Sequence, residues 1–275
     1  TLRIKGTENN KAVLFKSINY VDNKNEIEIS NLLINNYKIK NIEKIRFDYL
    51  TNNDFKNKLT LIKKNENYEL IGKSFDSIQL IENISNSQQD KNFFKIFKNL
   101  DTKVKIKIDE IKLDKENIVN NLKGNLQIRG SKIFSLNLKS NFTSNEKLFI
   151  SIKTQKDNAV VTTFYSDRAK PFVKKYKFIK GFEDGNLDFS SIKINNISKS
   201  KLIIDNFKVQ EIPVLAKILT LASLQGIADL LTGEGVRFTD FEMIYSNKGN
   251  LMTIHEIYAI GPALSIMMEG YVERN

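Results

Sequence analysis

At 275 residues, 41% hydrophobic and 27% charged, the chain is long enough to bury one large core or two small ones and too apolar to be disordered. Lys+Arg 43 against Asp+Glu 32 gives a net charge of +11, but this excess accompanies abundant asparagine and isoleucine and no tryptophan, the signature of AT-rich coding and not of a nucleic-acid site. The absence of cysteine excludes a disulfide framework, a thiolate metal site and a cysteine nucleophile.

The chain opens on "TLRIKGT", which reads as a strand already under way, with no basic-then-apolar leader. It is therefore expected to be a fragment whose targeting or anchoring segment lies upstream. "AVLFKSINYV", "NEIEISNLLINNYKI" and "KLTLIKK" carry the strand habit to about Leu70. "DKNFFKIFKNL" begins with Asp90 as an N-cap and spaces Phe93, Phe94, Phe97 and Leu100 as a short helix between two sheet units. Next, "KVKIKIDEI" puts Val104, Ile106 and Ile108 on one face and Lys103, Lys105 and Lys107 on the other. The same period of two runs through Leu122/Gly124/Leu126/Ile128, Phe134/Leu136/Leu138, Leu148/Ile150/Ile152 and Val236/Phe238. One-sided burial of this kind predicts antiparallel sheet. "NNLKGN", "IRGSK", "TSNEK", "EDGN" and "SNKGN" read as the hairpin turns between the runs.

The stretch "PVLAKILTLASLQGIADLLTG" breaks the pattern. Pro213 suits the first helical position and Gly233 the residue after the end, giving about 20 residues or roughly 30 Å of helix. Apolar residues surround its axis, including Leu215, Leu219, Leu224 and Leu230, so it needs cover on most sides from protein or lipid. Lys217, Gln225 and Asp229 interrupt it too often for a conventional membrane span. Strands resume in "GVRFTDFEMIYS", "NLMTIHEIYAIG" and "ALSIMMEGYVE".

Catalytic and metal chemistry find little support. His255 is the single histidine, which rules out a pair of histidine ligands on one helical face; it reads as a satisfied strand residue. "TGEGV" at Thr232–Val236 follows a helix where a phosphate loop would open one, and reads as a helix stop. No nucleophile, base and acid gather in the sequence, so neither enzymatic activity nor a cofactor is expected. The lysines are spread along strands without interleaved stacking aromatics, which sets nucleic acid aside as a partner.

A long one-sided sheet must either close on itself or use its dry face, and one helix cannot cover it all. From about Phe75 to the end, the chain resembles the C-terminal domain of AsmA-like bacterial envelope proteins, the β-groove family related to TamB. "GKSFDSIQLIENI" resembles that family's linker, "FKNLDTKVKIKIDEIKLDKENIVNNLKGNLQI" its first strands and "FEDGNLDF" its glycine-rich hairpin, with Asp184 where relatives keep a second glycine. "LIIDNFKVQEIPVLAKILTLASLQGIADLLTGEGVRF" resembles its strand, proline-started helix and returning strand, and "YAIGPALSIMMEGYVE" its closing hairpin. The resemblance implies a division into 1–72, the end of a preceding groove repeat, and 73–275, the AsmA-like domain. It implies a mainly β fold, a long curved open antiparallel sheet forming a groove, with one prominent apolar helix near the C-terminus. It further implies a periplasmic protein, anchored to the inner membrane upstream, that carries phospholipid toward the outer membrane with envelope proteins as partners. Its functional positions would be the inward strand faces: Val104, Ile106, Ile108, Leu126, Ile128, Leu136, Leu138, Ile150 and Ile152. The helix with Pro213, Leu215, Leu219, Leu224 and Leu230 would cap the groove or meet a membrane. Two other readings stand beside it: an envelope module whose dry face is filled by its own helix, and a closed outer-membrane barrel, which the helix at Pro213 disfavours.

Overall fold

The computed structural model describes residues 1–9, 12–51, 54–78, 101–130, 132–173, 180–211, 235–262 and 264–273. The chain divides into two compact units, Thr1–Asn145 and Glu146–Asn275. The boundary expected at 72/73 concerned relatedness and not compactness. The apolar helix expected from Pro213 to Thr232, with Leu215, Leu219, Leu224 and Leu230, lies outside the described residues, as does the short helix expected at Asp90. The helical element that is described is a single turn, α1 (Lys170–Val173). Among the described residues no helix is long and apolar enough to cross a membrane.

The first unit contains β1 (Leu2–Asn9), β2 (Ala12–Val21), β3 (Glu26–Asn35), β4 (Lys38–Asn41), β5 (Lys44–Leu50), β6 (Lys56–Lys64), β7 (Asn67–Asp76), β8 (Thr102–Lys112), β9 (Ile118–Arg129) and β10 (Lys132–Asn141). They pair in chain order, with β4 and β5 both beside β3. All these pairs are antiparallel except β7 with β8, which is parallel. The antiparallel sheet expected from the sequence is what the other pairs form, and this one pair departs from it. A parallel neighbour needs a crossover that a tight turn cannot supply, and the chain between Asp76 and Thr102 provides that length.

The second unit contains β11 (Lys147–Thr154), β12 (Val160–Ser166), β13 (Lys180–Ile194), β14 (Ile197–Glu211), β15 (Val236–Lys248), β16 (Leu251–Ile260) and β17 (Ser265–Glu273), paired antiparallel in chain order. Two-residue loops with left-handed asparagine make the tightest hairpins: Asn36 and Tyr37 (φ 49° and 59°) join β3 to β4, and Asn195 (φ 53°) lies between β13 and β14. Their positive φ matches the twist of the flanking strands.

Two expected turns are not turns. "NNLKGN" lies inside β9 and "EDGN" inside β13, so the strands run straight through them. What these segments do is slip the alternation by one residue. Asn31, Asn121 and Asn206 have φ of 49°, 56° and 54° in mid-strand. Across each, the spacing of core-facing residues lengthens from two to three: Ile29 to Leu32, Leu122 to Val119, Ile204 to Phe207. The partner strands slip in step, since Leu32 faces Phe15, Val119 faces Ile111 and Phe207 faces Phe238. Gly185 (φ 77°) performs the same slip on β13. Asparagine and glycine tolerate this backbone where a β-branched residue would clash, which is why turn-like composition appears within strands.

The second unit holds a distinct core where the slips align. Phe182, Phe207 and Phe238 stack with ring centroids 5.1 and 5.3 Å apart. The turn α1 closes over this region: the Ala169 N–H donates to the Gly185 carbonyl at 2.8 Å, and Phe172 meets Phe164 edge to face at 4.6 Å.

Candidate functional site

The registers translate period-two patterns into rows that run across the strands. In the first unit Ile4, Ile18, Ile29, Ile45, Leu61, Leu70, Ile106, Gly124 and Leu138 are successive cross-strand partners from β1 to β10. A second row follows Leu2, Tyr20, Ile27, Phe47, Leu59, Gly72, Ile108 and Leu122. Val104 faces Leu126, which faces Leu136, while Ile128 faces Thr102. The expected residues Val104, Ile106, Ile108, Leu126, Ile128, Leu136 and Leu138 therefore share one face of the first unit.

The remaining pair, Ile150 and Ile152, belongs to the second unit. Ile150 begins a row that continues through Phe164, Phe189, Leu202, Met243, Ile257 and Met268, from β11 to β17. The Ile152 row is more polar, passing Thr162, Ser191 and Ser200, and the Ser200 hydroxyl donates to Ser191 Oγ at 2.9 Å. That hydrogen bond gives each hydroxyl a partner within the row.

Exposure differs along the rows. Ile106, Ile108 and Ile128 are buried, at 9%, 3% and 7% exposure, whereas Val104, Leu126, Leu136, Leu138, Ile150 and Ile152 are half-buried. At the outer strands exposure rises, to 54% for Ile4 and 53% for Met268. Gly124 interrupts the first row for a steric reason: a Cβ there would lie 1.8 Å from the Asn137 carbonyl oxygen. The backbones approach too closely for any side chain.

The opposite faces are polar. On β3, β5 and β6 the charges are matched: Lys44 with Glu28 at 3.2 Å, Arg46 with Glu26 at 3.6 Å, Lys56 with Asp48 at 2.6 Å. In the second unit Asp205, Asp240 and Asp188 gather on one polar face, with Tyr165 beside them. Burial, then the Asp240 and Asp188 carboxylates, raise the pKa of Asp205. The hydrogen bond from Tyr165 to Asp167, with burial, pushes the phenol up to about 12.

Reactive chemistry is sparse. His255 Nε2 is 2.9 Å from Ser246 Oγ on an exposed part of the β15–β16 ladder. Among the described residues no three histidine or carboxylate groups stand close enough to hold a metal. A depression of ≈ 250 Å³ over β5–β7 is lined by Arg46, Asp48, Lys58 and Lys73 among others, and its cations are partly neutralised by Asp48.

Sequence reasoning missed the β1–β7 half of the apolar face, although "NEIEIS" and "KLTLIKK" carried the alternation. It also missed the row beyond Ile150, where phase slips at Gly185 and Asn206 disguise the pattern. Comparison with family models, with curated proteins and with solved structures finds no match.

Proposed function

We propose that the apolar faces carry acyl chains, and that the protein is a segment of a bridge-like lipid-transfer protein of the bacterial envelope. The observation that carries this reading is the apolar row from Ile4 to Leu138, broken only where Gly124 has no room for a side chain. Moving a palmitoyl chain into water costs about 0.8 kcal/mol per CH₂, roughly 12 kcal/mol in all. A face that offers aliphatic contact at every strand removes most of that barrier. It needs no polar constellation, because a conduit must release each lipid as readily as it takes it up. On this reading the partners are phospholipid, the inner and outer membranes and envelope proteins; the location is the periplasm, with an upstream inner-membrane anchor; and the protein is neither an enzyme nor a nucleic-acid binder. The resemblance to AsmA-like proteins motivates those further assignments.

A second reading, an envelope module without lipid conduction, draws support from the burial of Ile106 and Ile108. Residues already covered have no free surface to offer. Photocrosslinking amino acids at the half-buried Leu138 and Ile150, with Lys153 and Ser190 as polar-face controls, separate the two. Mass spectrometry after irradiation in cells is expected to find phospholipid joined at Leu138 and Ile150 alone. Equal capture at the controls, or none anywhere, overturns lipid carriage.

A further inference from the structure

The polar face of the first unit is not uniform. Over β3, β5 and β6, lysine and arginine meet carboxylates across the ladder. Between β8 and β9 they meet one another. Lys107 is the cross-strand partner of Lys123, and Lys123 of Lys139, so three lysines form one row across three strands. Lys105 and Lys103 follow on the same face of β8, and all five are exposed. Glu69 lies opposite Lys105, and Asp109 follows two residues beyond Lys107 on β8. Neither forms an ion pair with Lys103, Lys105, Lys107 or Lys123 among the described residues.

Like charges directly opposite on neighbouring strands destabilise a sheet, so this arrangement costs the fold something. An external array of negative charge offsets that cost. We propose that the β8–β9 polar face is a docking surface for an anionic lipid bilayer. Strands about 4.8 Å apart, with same-face residues roughly 6.8 Å apart along each, set the ammonium groups of Lys103, Lys105, Lys107 and Lys123 in a two-dimensional array. Such an array complements a plane of head-group phosphates better than a polymer backbone. Nucleic acid would also want stacking rings, and β8 and β9 carry no aromatic residue. The surface is opposite the apolar rows, so the proposal does not depend on lipid carriage.

The test is co-sedimentation of the full chain with vesicles of phosphatidylglycerol and phosphatidylcholine in equal parts, and with vesicles of phosphatidylcholine alone. Binding is expected only to the first and to weaken steeply with salt. Lys105→Gln with Lys107→Gln and Lys123→Gln is expected to lower the partition coefficient about a hundredfold, taking about fivefold per surface lysine. Removing the same charge elsewhere, as Lys153→Gln with Lys193→Gln and Lys199→Gln, is expected to change it only a few-fold. The corresponding Lys→Arg triple at 105, 107 and 123 keeps the charge and should bind as the parent does, which controls for any change in folding. Equal losses from both glutamine triples, binding to neutral vesicles, or a loss in the arginine triple would each overturn the proposal. So would tighter, triple-sensitive binding to a single-stranded oligonucleotide than to the anionic vesicles.

Discussion

Single residues set the geometry of the strands, and three exposed asparagines do so by accepting a left-handed backbone. Asn121, at φ 56°, lets β9 present both Leu122 and Val119 to the same side. A β-branched residue there meets its own carbonyl, at a cost of about 1–2 kcal/mol. Asn121→Val is therefore expected to lower the urea midpoint by that equivalent, while Asn121→Gly leaves it within a few tenths of a kcal/mol to about 1 kcal/mol. Equal loss from both would show that the asparagine side chain matters and the backbone does not. Two aspartates titrate with opposite sign. Asp205 has its pKa raised by burial and by Asp240 and Asp188, so the folded state holds its proton more tightly than the unfolded chain does. Its ionised form costs stability at neutral pH, and that cost is gone below the ordinary value of 3.8. Asp205→Asn should thus raise the melting temperature at neutral pH, with the gain fading as pH falls toward 3.8. Asp22 is the reverse: hydrogen bonds from the Asn25 side chain, the Lys24 N–H and Tyr20 hold its pKa down. Its contribution to the β2–β3 turn is present above 3.8 and is lost as the pH drops through its lowered folded value.

Elements were legible wherever alternation was unbroken. The span predicted for β2 coincides with Ala12–Val21, and the lysine–isoleucine alternation of β8 puts each residue on the side expected. Legibility failed where composition and conformation part company: asparagine or glycine marks a hairpin at Asn195 and phase slips at Asn121 and Gly185, and only the ladder distinguishes them. The parallel pairing of β7 with β8 was likewise invisible, because strand direction is not written in an alternating pattern. Packing of the second unit depends on the slips, since they bring Phe182, Phe207 and Phe238 into one stack. Phe207 is 6% exposed and contacts three other rings. Truncation to alanine is expected to cost about 3–5 kcal/mol in chemical denaturation. Met268→Ala, on the same apolar row system but 53% exposed, is expected to cost under about 1 kcal/mol. A comparable cost at Met268 would mean that this end of the row is covered in solution.

At the scale of the whole molecule, the rows of both units leave aliphatic surface half in water, and the question is whether that surface is used or merely tolerated. The candidate face was half legible: the sequence placed Val104 to Leu138 together, but only the register joins them to Ile4, Ile18, Ile29 and Ile45. Burial then sorts the positions, which no pattern of apolar residues does. A charge at Ile108, 3% exposed, is set among side chains with no water to receive it and should cost several kcal/mol of stability. A charge at the half-buried Leu138 or Ile150 keeps contact with water, so Leu138→Glu with Ile150→Arg should leave the melting temperature within a few degrees of the parent. An acyl chain following either row would nevertheless have to displace that charge's hydration. Fluorescent-phospholipid transfer between donor and acceptor vesicles is therefore expected to fall at least about tenfold in the double variant, equivalent to a barrier raised by roughly 1.4 kcal/mol. Undiminished transfer in a folded double variant would show that lipid does not travel along these rows. Outright unfolding of that variant would show that Leu138 and Ile150 belong to a closed core, and the envelope-module reading would then replace lipid carriage.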